Sequence, residues 1–457
     1  MVGATTRNDT GTRAGSAGSG AGAAFAIVTT LFFAWGFITS LVDPLVAAVK
    51  GIFTLSNLQA QASASAFFFA YFVVSLPAAA LVSRMRATTA VLLALGTMVA
   101  GCLIMLGAAN IANYWLVLLG LFVLASGITV LQVAANPLAA ALGDPSRSHF
   151  RLVLSQTFNS LGTFLGPLLG AHLFLKGVEV KGGAALDPAV RAQALAGIDQ
   201  AYLWLSGLLA VLALFFWLGR GTVARAAPAP QGASGGVGSA IASRWALFGA
   251  LAIFLYVGAE VSIGTQMALF LNSDAVWGHS DAAFGVPLLG WTMGSDGTPG
   301  VSLQEAGKAV AFYWGGAMAG RAVGSALLAR FDAARLLALF TAVAGAICLY
   351  VVFVGGVSAG FVALSIGLFN SIMFPVIFTL TLERSSASAE ATSGLLCTAI
   401  VGGALVPLLV GGLADASSYG FALIVPAACY AVLCVFAVAA GRAPVHAVGE
   451  PAAASIH

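Results

Sequence analysis

The sequence predicts an all-α membrane protein whose twelve transmembrane helices form two six-helix halves. Of its 457 residues, 60% are hydrophobic and 8% are charged, whereas a soluble domain carries roughly 25% charged residues. The mean hydropathy of +1.00 agrees with this contrast. Nineteen Lys/Arg and 16 Asp/Glu cannot cover a soluble surface. A lipid bilayer is therefore the expected surrounding, and the net charge of +3 gives no reason to expect nucleic acid as a partner.

Apolar runs of about 20 residues, the length that crosses a bilayer as a helix, occur twelve times. A membrane barrel would show alternating segments of about ten residues, which this sequence lacks, so helices must satisfy the backbone in lipid. The predicted spans are 24–49, 62–83, 88–108, 112–142, 151–175, 199–219, 245–272, 307–330, 335–355, 359–382, 391–414 and 419–440.

A Pro/Gly/Ser-rich segment, 226–243, separates the first six spans from the last six. Two six-helix halves joined by a cytoplasmic linker are the arrangement of the major facilitator fold. We therefore expect a disordered cytoplasmic tail over 1–22, a helix bundle over 23–220, a cytoplasmic linker over 221–243, a second bundle over 244–441 and a cytoplasmic tail over 442–457.

The Lys and Arg residues of the loops predict the orientation. With both termini in the cytoplasm, thirteen of these residues fall on the cytoplasmic side. Four fall on the outer side: Lys50, Lys176, Lys181 and Arg191. This asymmetry predicts that both termini are cytoplasmic.

Asp43 is the first functional candidate, because an ionisable group inside a helix bundle is costly. It lies in TSLVDPL of span one, next to Pro44, which removes a helix hydrogen bond. A carboxylate beside free carbonyls suits a proton or a cation, as in the broken helices of transporters. The alternative is a structural carboxylate bonded to a neighbouring helix.

Two further ionisable groups fall inside the second half. Glu260 lies near the middle of span seven, one turn after Tyr256. It is expected to be a second protonation site, a cation ligand or a partner for a buried base. Arg321 of span eight is expected to form a structural ion pair near the cytoplasmic gate, with Glu383 as a candidate partner.

Four amides on spans four and five suit a neutral sugar. Gln132 and Asn136 share a helix face at i and i+4, and Gln156 and Asn159 share one at i and i+3. Amides offer paired donors and acceptors without charge, as vicinal hydroxyls require, although they also bond helices together in membranes. The remaining candidates for sugar contact are Gln266, Asn370, Trp35, Tyr256 and Phe374.

The segments FAWGFITSLVDPL, LQVAANP, LSQTFNSLGTFLGPLLG, FLYVGAEVSIGT and FNSIMFPVIF follow one another in spans one to ten. Together with GLLCTAIVGGALVPLLVGGLAD of span eleven, they resemble the fucose–galactose–glucose:proton symporter family of the major facilitator superfamily. The likeness is closer to the bacterial glucose/galactose branch than to the fucose branch. It implies a multi-pass protein of the bacterial cytoplasmic (inner) membrane.

The resemblance implies roles for particular residues. Asp43 matches an Asp that the fucose branch uses for substrate coupling. Gln132 stands where that branch has a protonatable Glu, so proton coupling is expected to rest on Asp43, with Glu260 as a second candidate. Ser40 and Gln156 fall at the positions of an Asn and a Gln of the family's sugar site.

The loop after span two departs from the superfamily pattern. It reads ALVSRMRA and lacks the Gly and Asp that brace the cytoplasmic gate, although Arg84 and Arg86 remain. Arg84 is therefore kept as a candidate gate residue.

We expect a monomeric importer of a neutral hexose, such as glucose or galactose, that works by proton symport and alternating access. The alternatives are coupling to sodium, uncoupled transport, multidrug efflux and a sugar sensor that does not transport. No helix shows a nucleophile–base pair or a metal-ligand cluster, and the five cysteines lie in apolar stretches. Neither an enzyme nor a cofactor is expected, and the coupling ion is H⁺ or Na⁺.

Overall fold

The computed structural model describes residues 13–82, 85–142, 148–176, 178, 187–227, 237–328, 330–387 and 389–444. In these ranges all regular structure is helical, with nineteen α-helices and short 3₁₀ turns. The all-α class predicted from composition is confirmed.

The first half of the chain contains seven helices. Asn113 and Asp187 cap two of them, accepting hydrogen bonds from first-turn N–H groups. The helices are α1 (Arg13–Ser40), α2 (Val42–Ile52), α3 (Asn57–Val82), α4 (Ala87–Asn110), α5 (Tyr114–Ala141), α6 (Ser148–Phe174) and α7 (Pro188–Ala226).

The second half is more interrupted, because predicted spans ten, eleven and twelve are each built from two or three helices. The helices are α8 (Val237–Ala242), α9 (Arg244–Asn272), α10 (Pro287–Met293), α11 (Leu303–Leu328), α12 (Ala333–Phe353), α13 (Gly356–Leu364), α14 (Ile366–Asn370), α15 (Met373–Leu382), α16 (Ala389–Thr398), α17 (Gly402–Ala416), α18 (Tyr419–Ala422) and α19 (Ile424–Arg442).

Ten helical segments of the described chain are long and apolar enough to cross a membrane. They correspond to ten of the twelve predicted spans. The other two predicted spans are present as α6 and α11, which are long helices but fall below that apolar threshold. Both helices carry polar groups that face other helices, as described below.

The most extensive contacts between the two halves are along three helix pairs. Helix α3 packs against α17, α6 against α11, and α2 against α9. Within the first half, α1 and α6 approach closely because glycines lie at their interface. A Cβ at Gly36 would overlap Asn159, and one at Gly162 would overlap the backbone of α1. Close backbone approach at small residues is the usual way helices pack in membranes.

The helix bounds differ from the predicted ones at the chain's junctions. Helix α1 begins at Arg13, inside the segment predicted as a tail, and α8 lies inside the predicted linker. Residues 1–12, 228–236 and 445–457 lie outside the described ranges. The division into a tail, two bundles and a linker therefore stays a prediction.

Candidate functional site

Asp43 lies at an interruption of the first span. Helix α1 ends at Ser40 and α2 begins at Val42, so Asp43 is in the first turn of α2. Pro44 has no N–H and leaves the carbonyl of Ser40 without its helical partner. The Asp43 side chain is only 5% exposed. The sequence around Pro44 thus places a buried carboxylate at a helix break, as predicted.

The partner of this carboxylate comes from the other half of the chain. Nε1 of Trp314, in α11, donates a 2.6 Å hydrogen bond to Oδ2 of Asp43. Gly264 of α9 adjoins the same carboxylate, since a Cβ added there would lie 3.3 Å from both carboxylate oxygens. Asp43 therefore contacts two helices of the second half, and its carboxyl group lies where the halves meet.

Glu260 lies among tyrosines from several helices of the second half. Its Oε1 accepts a 2.7 Å hydrogen bond from the Tyr256 hydroxyl, and its backbone carbonyl accepts one of 3.1 Å from Tyr313. The Tyr256 hydroxyl is also 3.2 Å from the backbone carbonyl of Asn370. The Asn370 amide donates to Tyr313 and accepts from Tyr430, at 2.8 and 2.7 Å. Glu260, Tyr256 and Asn370 thus share one network, in which both polar atoms of the Asn370 side chain are engaged.

On span four, the two predicted amides have different surroundings. Nε2 of Gln132 donates to the hydroxyl of Tyr71, in α3, at 2.8 Å. Gln132 is half-buried. Among the described residues, Oδ1 of Asn136 is buried without a hydrogen-bond partner, so this amide retains an unused acceptor.

On span five, one predicted amide is free and the other is bonded to a helix. Gln156 is half-buried, and the hydrogen bonds among the described residues engage only its backbone carbonyl, not its side chain. Asn159 is buried against Gly36 and donates from Nδ2 to the carbonyl of Phe32 at 3.1 Å. Gln156 is therefore available to a ligand, whereas the Asn159 side chain links α6 to α1.

Two candidates of span one are packed inside the first half. The hydroxyl of Ser40 donates to the carbonyl of Phe37 at 3.1 Å and lies against Gly166 of α6. The ring of Trp35 is buried, with its centroid 4.2 Å from that of Phe32.

The two remaining sugar-contact candidates of the second half, Phe374 and Gln266, lie in different surroundings. Phe374 contacts Tyr256, with ring centroids 6.3 Å apart. Gln266 is 4% exposed, and its Nε2 has no hydrogen-bond partner in the part of the chain that the structure describes. Since 100° separates successive residues of a helix, Gln266 points away from the face that Glu260 and Gly264 share.

The predicted gate residues make different contacts from those expected. Arg321 donates to the hydroxyl of Ser160, in α6, and so joins the two halves. Glu383 pairs with its neighbour Arg384 at 3.0 Å. An Arg321–Glu383 ion pair does not occur in the described structure, because each side chain has a nearer partner. Arg84 lies outside the described residues.

At the end of the molecule that the predicted topology places outside the cytoplasm, polar contacts join the halves. Asp415, at the end of α17, accepts from the backbone N–H groups of Asn57 and Leu58, both at 2.8 Å. These groups begin α3, so the carboxylate caps a helix of the other half. Nζ of Lys50 donates to the Tyr419 hydroxyl at 2.6 Å, and that hydroxyl donates to Asn57 at 2.8 Å. We call these five residues the outer contact.

Sequence reasoning missed Trp314 and Asp415, the residues that tie Asp43 and α3 to the second half. Trp314 lies in FYWGGAM, in the middle of a predicted span. A tryptophan at such a position indicates a nearby hydrogen-bond acceptor, since a buried indole N–H usually finds one. Asp415 offers only the general signal of an acidic residue at a helix end.

The family model described as Major Facilitator Superfamily matches residues 23–387. A glucose/galactose transporter of Brucella abortus is 41% identical over 416 residues, which are 91% of this chain and 93% of that protein. The L-fucose-proton symporter of Escherichia coli is 31% identical over 429 residues, or 90% of this chain and 92% of that protein. The solved structure of an E. coli fucose:proton symporter superposes with a TM-score of 0.65 at 26% identity and covers 92% of this chain and 98% of that one.

Proposed function

The chain belongs to the major facilitator superfamily and, within it, to the fucose–galactose–glucose:proton symporter family, and from this membership we propose that it imports a neutral hexose together with a proton. It is a multi-pass membrane protein and a sugar transporter, as the relatives' names and the superfamily indicate. We further propose the cytoplasmic membrane, both termini inside, a monomer, and glucose or galactose as substrate, in line with the name of the Brucella relative.

The observation that carries proton coupling is the contact of Asp43 with Trp314. A carboxylate of the first half is bound by a donor of the second half, so its surroundings change whenever the halves move relative to each other. An indole N–H pairs more strongly with a carboxylate than with a carboxylic acid, because hydrogen bonds to ionised groups are stronger. Proton binding at Asp43 is thereby linked to the arrangement of the halves.

Alternating access follows from the same arrangement. With the outer contact made, the halves are joined at the outer end, and the opening is proposed to face the cytoplasm. When the outer contact parts, Asp43 becomes accessible from outside and takes up a proton, and sugar enters. The loaded protein closes at the outer end, opens inward and releases both.

The sugar is proposed to bind to amides that are still available. Gln156 is half-buried and its side chain has no hydrogen-bond partner among the described residues, Asn136 retains a buried acceptor, and Gln132 is half-buried beside Tyr71. An amide that donates and accepts can pair with two neighbouring hydroxyls of a sugar ring.

One proton per sugar is sufficient for useful accumulation. A charge that crosses 100 mV supplies about 2.3 kcal/mol, which corresponds to roughly fifty-fold accumulation. A single carboxylate at Asp43 therefore suffices, even though Gln132 stands where the fucose branch has a Glu.

Uptake of labelled glucose or galactose into proteoliposomes tests the proposal. An inward proton gradient should drive accumulation, and Asp43→Asn should abolish accumulation while sugar exchange continues. Accumulation driven by a sodium gradient alone would show sodium symport. Equilibration that responds to neither gradient would show a uniporter, and uphill uptake by Asp43→Asn would refute the role of Asp43.

A further inference from the structure

Gln61 of α3 is a buried amide in the interface between the halves. Its side chain is 0% exposed. On one side it adjoins Gly411 of α17, where an added Cβ would lie 2.8 Å from Cγ of Gln61. On the other side it meets Thr265 of α9, whose hydroxyl is 2.9 Å from Oε1 of Gln61. Helices α9 and α17 both belong to the second half, so Gln61 is enclosed by that half.

Only one of the two polar atoms of this amide is used. Oε1 lies next to the Thr265 hydroxyl, while Nε2 is buried and has no hydrogen-bond partner among the residues that the structure describes. A buried donor that has given up water without gaining a hydrogen bond is unfavourable. If Gln61 served only to hold the halves together, an apolar side chain of the same shape could pack at this position. Such a side chain would not leave a buried donor unpaired.

Thr265 does not depend on Gln61. Its single hydroxyl proton has a second acceptor within reach, the carbonyl of Val261, which lies 2.8 Å away and one turn earlier in the same helix. When the halves separate at the outer end, Thr265 keeps this acceptor, whereas Gln61 loses its partner. The amide of Gln61 then presents a free acceptor and a free donor.

Gln61 lies closer than Asp43 to the helix ends that form the outer contact. It is four residues from the outer end of α3 at Asn57, and Asp43 is nine residues from the outer end of α2 at Ile52. At 1.5 Å per residue, these positions are about 6 Å and about 14 Å below their helix ends. Thr265 directly follows Gly264, which adjoins the Asp43 carboxylate. Gln61 thus lies between the outer contact and Asp43.

We propose that Gln61 is a sugar-binding residue of the outward-facing state, an inference that rests on the proposed function. Its Oε1 and Nε2 accept from and donate to two neighbouring hydroxyls of an incoming hexose. The sugar replaces Thr265 at Oε1 and supplies the missing acceptor to Nε2. On closure at the outer end, Thr265 returns to Oε1, and the sugar passes to the amides of spans four and five.

The matched variants Gln61→Leu and Thr265→Val separate sugar binding from a structural role. Both remove the hydrogen bond between the halves, but only Gln61→Leu removes the amide. In right-side-out vesicles, Gln61→Leu should raise the KM for external glucose about tenfold, and Thr265→Val should leave it unchanged. In inside-out vesicles, neither variant should change the KM. Equal effects of the two variants on the external KM would assign Gln61 to the gate and overturn the proposal.

Monodeoxy hexoses provide an independent measurement. For one ring position, replacing the hydroxyl by hydrogen should raise the external KM of the wild type about tenfold and should cause no further rise in Gln61→Leu. If the loss of each hydroxyl raises the external KM as much in Gln61→Leu as in the wild type, Gln61 does not contact the sugar. A wild type that transports no hexose would instead refute the proposed function, so the two failures are distinguishable.

Discussion

The indole of Trp314 and the carboxylate of Asp43 form a 2.6 Å hydrogen bond that joins the second half of the chain to the first. Because the donor and the acceptor belong to different halves, this bond exists only while the two halves are together at this level. The carboxylate proposed to carry the proton is therefore also a contact of the closed outer side.

Replacing Trp314 by Phe should slow net uptake but leave sugar exchange intact. The carrier without sugar has to close at the outer end while Asp43 is ionised, and the indole N–H stabilises this negative charge. The carrier loaded with sugar and a proton closes while Asp43 is protonated. We expect proton-driven accumulation to fall roughly tenfold, measured as labelled glucose in proteoliposomes. Trp115, which is 78% exposed, provides the control: Trp115→Phe should behave as the wild type. Equal losses of exchange and accumulation would contradict this account.

Gln156 and Asn159 should respond in opposite ways to substitution by alanine. The Gln156 side chain has no hydrogen-bond partner among the described residues, so Gln156→Ala should weaken sugar binding about tenfold without lowering thermal stability. Asn159 donates to the Phe32 carbonyl, so Asn159→Ala should cost about 0.6 kcal/mol or more of stability. Glucose binding and thermal unfolding of the purified protein in detergent measure both effects. A stability loss in Gln156→Ala would identify it as a structural amide.

Asn370→Leu should destabilise the second half. The substitution leaves the buried hydroxyl of Tyr430 without its acceptor, which costs about 1–3 kcal/mol. Thermal unfolding in detergent checks this value. Asn110→Ala is the comparison, since Asn110 is exposed and should change stability by no more than about 0.5 kcal/mol. If Asn370→Leu is as stable as the wild type, the tyrosine network does not support the fold.

Asp415→Ala should favour opening at the outer end, because the first two N–H groups of α3 lose their charged acceptor. A cysteine introduced by Ala268→Cys reports opening, since Ala268 is 2% exposed and lies on the face that Gly264 shares. Its labelling by a membrane-impermeant maleimide from outside should accelerate roughly tenfold.

Asp199→Ala is the matched control for this experiment. Asp199 accepts a 2.9 Å hydrogen bond from Asn110, and both residues belong to the first half, so labelling of Ala268→Cys should stay unchanged. Acceleration by both substitutions would mean that the loss of outer negative charge, rather than of the outer contact, changes the labelling.

The sequence was sufficient to predict the helices and the carboxyl groups inside the bundle, but not their partners. A scarcity of charge makes Asp43 and Glu260 stand out, and Pro44 marks the helix break beside Asp43. Trp314 is 271 positions from Asp43, and no local pattern records that the two halves bring them together. For the same reason the partner of Arg321 was predicted on the wrong helix: Ser160 is an unremarkable residue in the sequence, yet α6 packs along α11.

The sequence also could not separate amides that bind a ligand from amides that join helices. Gln132, Asn136, Gln156 and Asn159 are chemically alike, and their spacing places each pair on a shared face. The close approach of α1 and α6 at Gly36 decides that Asn159 reaches a backbone carbonyl. Such an approach depends on packing between distant segments.

The two helices that fall short of the apolar threshold, α6 and α11, lie side by side across the halves. During synthesis, α6 leaves the ribosome long before α11 exists, and a helix of limited hydrophobicity inserts poorly by itself. We therefore expect α6 to settle in the bilayer fully only after α11 has been made. Biogenesis of the first half would then depend on the second, and the two halves, expressed as separate chains, should each be degraded faster than when they are expressed together.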